Sequence, residues 1–285
     1  MASENTARPG GWNSQGLQFA QPGHDLHLHI LDDKGAHEQP FDPLDTESAN
    51  KDLATAKNDP VIQLIEGRNS PAIGFRTTQE FVQSRCAAWG MHSAFIQRIM
   101  RKPGALPWFT HNLDFNDSTG VVLSGISICY RWGLGHNIFM VVFGRYSVKK
   151  NVFNLFVSSK GIMPLNWSIH QLLSMHQDEL RAHPLQLVGL LLEICERFID
   201  LQTQEMNRRH LQVARRLGVS HDDWLGGWHI DPANEPDMSR FIYIAYDWTS
   251  WLIRSCRDLI SIASNLLSLP TTSIQDMVLK IWGCC

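Results

Sequence analysis

The apolar residues change period at Pro184, and this change constrains the fold more than any other feature of the 285-residue sequence. Upstream, between Val121 and Lys160, apolar and β-branched residues gather in three short runs. These are Val122–Tyr130, Phe139–Val148 and Val152–Val157, separated by Gly133-Leu134-Gly135 and by Lys149-Lys150-Asn151. Short runs of this kind closed by turn residues predict a β-meander. Downstream, Leu187, Leu191, Ile194, Phe198 and Leu201 follow one another at spacings of four and three, which lines them up on one stripe of a helix. Gly218 supplies a natural end to that helix. A second helical stretch is expected from Asn234 to Leu269, with Phe241, Ile244, Trp248, Trp251, Leu259, Ile262, Leu266 and Leu269 near one stripe and Pro270 closing it. Two long amphipathic helices joined by a loop predict antiparallel packing.

The rest of the chain fits around this pattern. Residues 1–58 are rich in Gly, Pro, Asn, Asp and Gln and read as a weakly ordered leader with one apolar patch at Leu26–Leu31. Val61–Glu66 reads as a strand ended by a turn through Asn69-Ser70-Pro71. Thr77-x-x-Glu80 has capping-box spacing. It opens a helical stretch from Thr78 to Met100 with a break near Gly90. The expected architecture is therefore α+β: a leader over 1–58, an N-terminal α/β domain with a β-meander over 59–182, and two long antiparallel C-terminal helices over 183–285.

Charge and composition exclude several functions. A net charge of −3 gives no basic face for a nucleic-acid backbone. The densest basic group, Arg208, Arg209, His210, Arg215 and Arg216, shares its helix with Glu193, Glu196, Asp200 and Glu205, as a solvated face does. The most apolar stretch, Phe241 to Leu269, carries Asp247, Arg254, Arg257 and Asp258, which opposes a membrane span. Cys86, Cys129, Cys195 and Cys256 lie far apart in apolar runs, without paired spacing, and read as buried free thiols of a cytoplasmic protein. Cys284-Cys285 has the look of a doubly prenylated tail, and equally of a chance end.

Few residues suggest chemistry. His27 and His29 alternate, so a strand would turn both imidazoles to one face, where they can reach one metal ion; His24, His37 and Glu38 are the nearest further donors. A polar face on an edge strand accounts for the same pair. Asp222 and Asp223, with His229 and Asp231, lie between the two long helices, where paired carboxylates can bind Mg²⁺. Helix capping explains Asp223 equally well. Gly125-Ile126-Ser127 lacks the second glycine and following helix of a nucleophile elbow. Gly133-Leu134-Gly135 lacks the third glycine of a dinucleotide fingerprint. No catalytic or cofactor-binding set follows from the sequence.

The run VIQLIEGRNSPAIGFRTTQEF from Val61 to Phe81, continuing to Phe95 in HSAFIQRI, FGRYSV from Phe143, the following VFNLFV, and His183-Pro184-Leu185 together resemble the soluble part of fungal CorA-like magnesium transporter proteins. The likeness covers about residues 60 to 269, and the order of the stretches carries it. It implies a cytoplasmic α/β domain feeding a long helix, a possible role for magnesium, and association through the long helices as a homo-oligomer or with a CorA-like relative. The family's Gly-Met-Asn tripeptide occurs nowhere in this chain, so no conduction residue is carried over. The function expected is a non-conducting binding, regulatory or oligomerisation module. A biosynthetic enzyme reusing the scaffold, with the Trp224–Asp231 loop lining a pocket, and a truncated transporter fragment are the alternatives.

Overall fold

The computed structural model describes residues 18–19, 26–41, 61–68, 74–75, 77–101, 108–115, 123–133, 139–161 and 168–216, with scattered helical positions between 250 and 264. A seven-stranded mixed sheet organises them. Its strands are β2 (Leu26–Asp32), β3 (Gly35–Pro40), β4 (Ile62–Arg68), β6 (Trp108–Phe115), β7 (Leu123–Gly133), β8 (Phe139–Ser147) and β9 (Val152–Lys160), in the spatial order β3-β2-β4-β9-β8-β7-β6. All neighbours are antiparallel except β4 and β9, which run parallel. Two short strands, β1 (Gln18–Phe19) and β5 (Gly74–Phe75), pair separately.

The sheet has an apolar layer on each face because its strands alternate without a solvent side. Leu31, Leu64, Ile128, Tyr130, Trp132, Val142, Leu155 and Val157 face one core. Leu26, Leu28, Ile65, Cys129, Val141, Phe143 and Phe156 face the other. Strands buried on both faces need helices on both. The second face is covered by α1 (Gln79–Ala88) and α2 (Ser93–Arg101), through Phe81, Val82, Cys86, Phe95, Ile96 and Ile99. Gly90, at φ 81°, makes the break between them. The cap of α1 is Thr78, whose hydroxyl accepts from the Phe81 amide at 3.1 Å, and not the neighbouring Thr77. The first face is covered by α3 (Ile169–Met175), α4 (Gln177–Ala182) and α5 (Gln186–Arg216).

The expected helical hairpin is corrected. Helix α5 is one long helix of 31 residues, and among the described residues no second long helix stands beside it. Leu187, Leu191, Ile194 and Phe198 are buried against Trp132 and the rest of the first sheet face, so the stripe meets a sheet and not a partner helix. The stripe ends there, since Leu201 is 49% exposed. Periodicity dictates which side of a helix is apolar but not what covers it. Most of the expected second helix lies outside the described residues; within it, Ile262 is buried in the first-face core. The expected fold also omitted three strands of the sheet: β6, and β2 and β3, which come from the polar leader and place Leu26, Leu28 and Leu31 in the core. No helix of the described residues is long and apolar enough to cross a membrane.

The thiols divide the same way. Cys86, Cys129 and Cys195 are buried, while Cys256 is exposed, against the expectation of a fourth buried thiol. Burial pushes Cys129 up to about 12 and raises Cys86 and Cys195 as well. All three therefore stay protonated, and unreactive, at neutral pH. In alkylation of the native protein at pH 8, mass mapping should find Cys256 modified and these three untouched until denaturant is added. Rapid labelling of Cys129 in the folded protein would contradict the packing of the second face.

Candidate metal centre

The end of the sheet opposite β6 carries a polar cluster on the first sheet face. Strands β2 and β3 form a hairpin across Asp33-Lys34, with Asp32 paired to Gly35. The Asp32 carboxylate accepts from the Lys34 and Gly35 amides at 2.8 and 3.2 Å, which closes the turn. Arg181 of α4 donates to the carbonyls of Asp32 and Asp33 and ties the same turn to the helical layer. This pins the register. His29 then lies opposite Glu38 of β3 and Leu64 of β4, and His27 lies opposite Glu66.

His27 and His29 do share a face, with their rings stacked at 6.4 Å. His29 is fully buried, and its Nε2 lies 2.8 Å from a carboxylate oxygen of Glu66, itself 2% exposed. In the neutral tautomer that donates from Nε2 to Glu66, Nδ1 carries the lone pair. That Nδ1 is buried and has no hydrogen-bond partner. His27 Nδ1 lies 2.9 Å from Glu38 Oε1, in ion-pair range though not aligned as a hydrogen bond. His37 points elsewhere, 3.4 Å from Asp32.

The helical layer supplies a third donor. Ser168 caps α3 in a full capping box: its hydroxyl accepts from the Gln171 amide and the Gln171 side chain accepts from the Ser168 amide, each at 3.1 Å. Ile169, Leu172 and Leu173 anchor the helix in the core, and His170, on its first turn, reaches the histidine face. One ligand atom each from His29, Glu38 and His170 lie within 4.8 Å of one another. His170 Nδ1 is also buried without a hydrogen-bond partner. Donors about 2.1 Å from one ion stand roughly 3.4 Å apart in a tetrahedron. Small rotations of the half-buried Glu38 and His170 would bring the set onto an ion.

Of the residues suggested by the sequence, the structure brings His29 and Glu38 together and sets His27 beside them. Asp222, Asp223, His229 and the Trp224–Asp231 loop lie outside the described residues. Ser127 is buried in β7 with a strand, not a helix, after it. Glu66 and His170 were not legible as site residues; the Ser168-x-x-Gln171 box marks the start of α3 but not what α3 packs against. No protein-family model and no curated protein matches the chain.

Proposed function

We propose that this chain is a non-conducting CorA-like domain protein that acts as a binding module, and that its ligand is a divalent transition-metal ion held by His29, Glu38 and His170. One observation carries the reading. His29 is buried, its Nε2 lies 2.8 Å from the Glu66 carboxylate, its Nδ1 has no hydrogen-bond partner, and one of its ring nitrogens lies within 4.8 Å of ligand atoms of Glu38 and His170. A buried nitrogen without a partner costs free energy unless something occupies it. The His29–Glu66 pair is also the arrangement by which a carboxylate fixes the tautomer of a metal-bound imidazole. Two imidazoles and one carboxylate suit Zn²⁺, Fe²⁺ or Co²⁺. They do not suit Mg²⁺, which favours an octahedron of oxygens, so no role for magnesium is assigned to this cluster.

Isothermal titration of the metal-free protein tests this. Zn²⁺ and Co²⁺ are expected to bind with one equivalent per chain, and Mg²⁺ to give no saturable heat. His29→Ala and His170→Ala should each abolish the Zn²⁺ signal while circular dichroism shows the fold retained. Glu66→Gln, which keeps the shape but weakens the ring's orientation, should cost about 10- to 100-fold in affinity. A preference for Mg²⁺, or Zn²⁺ binding indifferent to His29 and His170, would refute the reading.

A further inference from the structure

We infer that the ion at His29, Glu38 and His170 has an open coordination sphere and takes a small anionic ligand from solution in exchange for water. This rests on the metal reading above and specifies what that site does. Among the described residues the donors number three, and a divalent transition-metal ion takes at least four. Sites closed by four protein donors are structural, whereas three donors including two histidines and a carboxylate leave a position for an outside ligand.

The surroundings favour an open position over a fourth protein donor. Glu66 is engaged with His29 Nε2. His27, the nearest other imidazole, has its Nδ1 directed to Glu38 at 2.9 Å, so it steadies the ligand carboxylate and does not complete the sphere. Burial is graded in the same sense. His29 is sealed, but the side chains of His27 and Glu38 are 23% and 26% exposed. Glu38 stands on β3, the edge strand, where the sheet ends. The unfilled position thus faces the sheet edge and water.

Charge selects the ligand class. Two neutral imidazoles and one carboxylate leave a divalent ion with a net positive charge among its direct ligands, which favours an anionic oxygen donor over a neutral one. The exchange is a substitution: water leaves the ion, the anion enters, and no electron is transferred. A carboxylate or hydroxamate fits this description, and acetohydroxamate is the probe.

Cobalt spectroscopy gives the decisive measurement, because the visible bands of Co²⁺ report its coordination number. The full-length protein loaded with one equivalent of Co²⁺ should show bands that are missing from His29→Ala and His170→Ala. Titrating acetohydroxamate should then move those bands and saturate at one ligand per ion. His27→Ala should weaken Co²⁺ binding through Glu38 but, once loaded, still show the cobalt bands and the shift. Bands that stay fixed at saturating acetohydroxamate, or that are lost in His27→Ala, would mean the sphere is closed by protein and would overturn this inference alone. Failure of Co²⁺ to give any bands would overturn the metal reading and this inference with it.

Discussion

Gly144→Ala is expected to be among the most destabilising single-methyl changes in the protein, lowering stability by about 3 kcal/mol and the Tm by roughly 10 °C. A glycine-to-alanine change in a strand ordinarily helps, because glycine loses the most backbone entropy on folding. Here the added Cβ would fall 2.2 Å from the Asn154 carbonyl oxygen and 2.6 Å from the Leu155 Cα, both on β9. Gly144 is paired with Leu155 near the centre of the seven-stranded sheet, and β9 also carries that sheet's parallel pairing, to β4. Backbone cannot step aside as a side chain can, so the strands must separate. Gly125→Ala is the matched control: the three atoms nearest its Cβ all belong to the Arg145 guanidinium, at 2.7 to 2.9 Å, which can swing away at the cost of the 3.0 Å contact to Asp114. Thermal melts should rank Gly144→Ala well below Gly125→Ala. Equal losses would show that β8 and β9 are not packed this closely.

The second large effect concerns the buried pair at the candidate metal centre. His29→Leu removes the imidazole from a carboxylate that is 2% exposed, and is expected to cost about 3–5 kcal/mol. Glu66→Leu leaves the His29 Nε2 without this acceptor and should cost about 1–3 kcal/mol. The double change His29→Leu/Glu66→Leu puts two apolar side chains among Leu31, Leu64 and Val157, and should recover most of the loss. Urea denaturation of the four proteins measures the coupling. A double variant that is near wild type in stability but does not bind Zn²⁺ would show that the polar pair is kept for its ligand and not for the fold. Single losses that simply add would show that the two side chains act independently.

The sheet was legible where its signal was local. The three runs of the meander became β7, β8 and β9, Val61–Glu66 became β4, and the break at Gly90 fell where a glycine at positive φ permits it. The helix beginning after Pro184 was equally plain, but its partner was not. A stripe of Leu187, Leu191, Ile194 and Phe198 serves a helical hairpin or a sheet face alike, and only the tertiary structure decides. The strands β2 and β3 were obscured by the polar composition of the first 58 residues. The alternation Leu26-His27-Leu28-His29 and the turn Asp32-Asp33-Lys34-Gly35 were the available signals of that hairpin. Between Thr77 and Thr78, box spacing favours the first, and the hydrogen bond is made by the second. The candidate metal centre was half visible. Two histidines on one strand face declare themselves by their spacing. Glu66 and His170 join them only because β4 pairs beside β2 and α3 folds back over the edge of the sheet, which are long-range events no local pattern encodes.

X-ray absorption at the zinc edge, on the full-length protein with one equivalent of Zn²⁺, looks at the ion itself. A shell of two imidazole nitrogens with one or more oxygens, losing one imidazole in His29→Ala and one in His170→Ala, is the spectrum expected. A sulfur-containing shell, or a histidine count unchanged by both substitutions, would place the metal elsewhere and contradict a centre built from His29, Glu38 and His170.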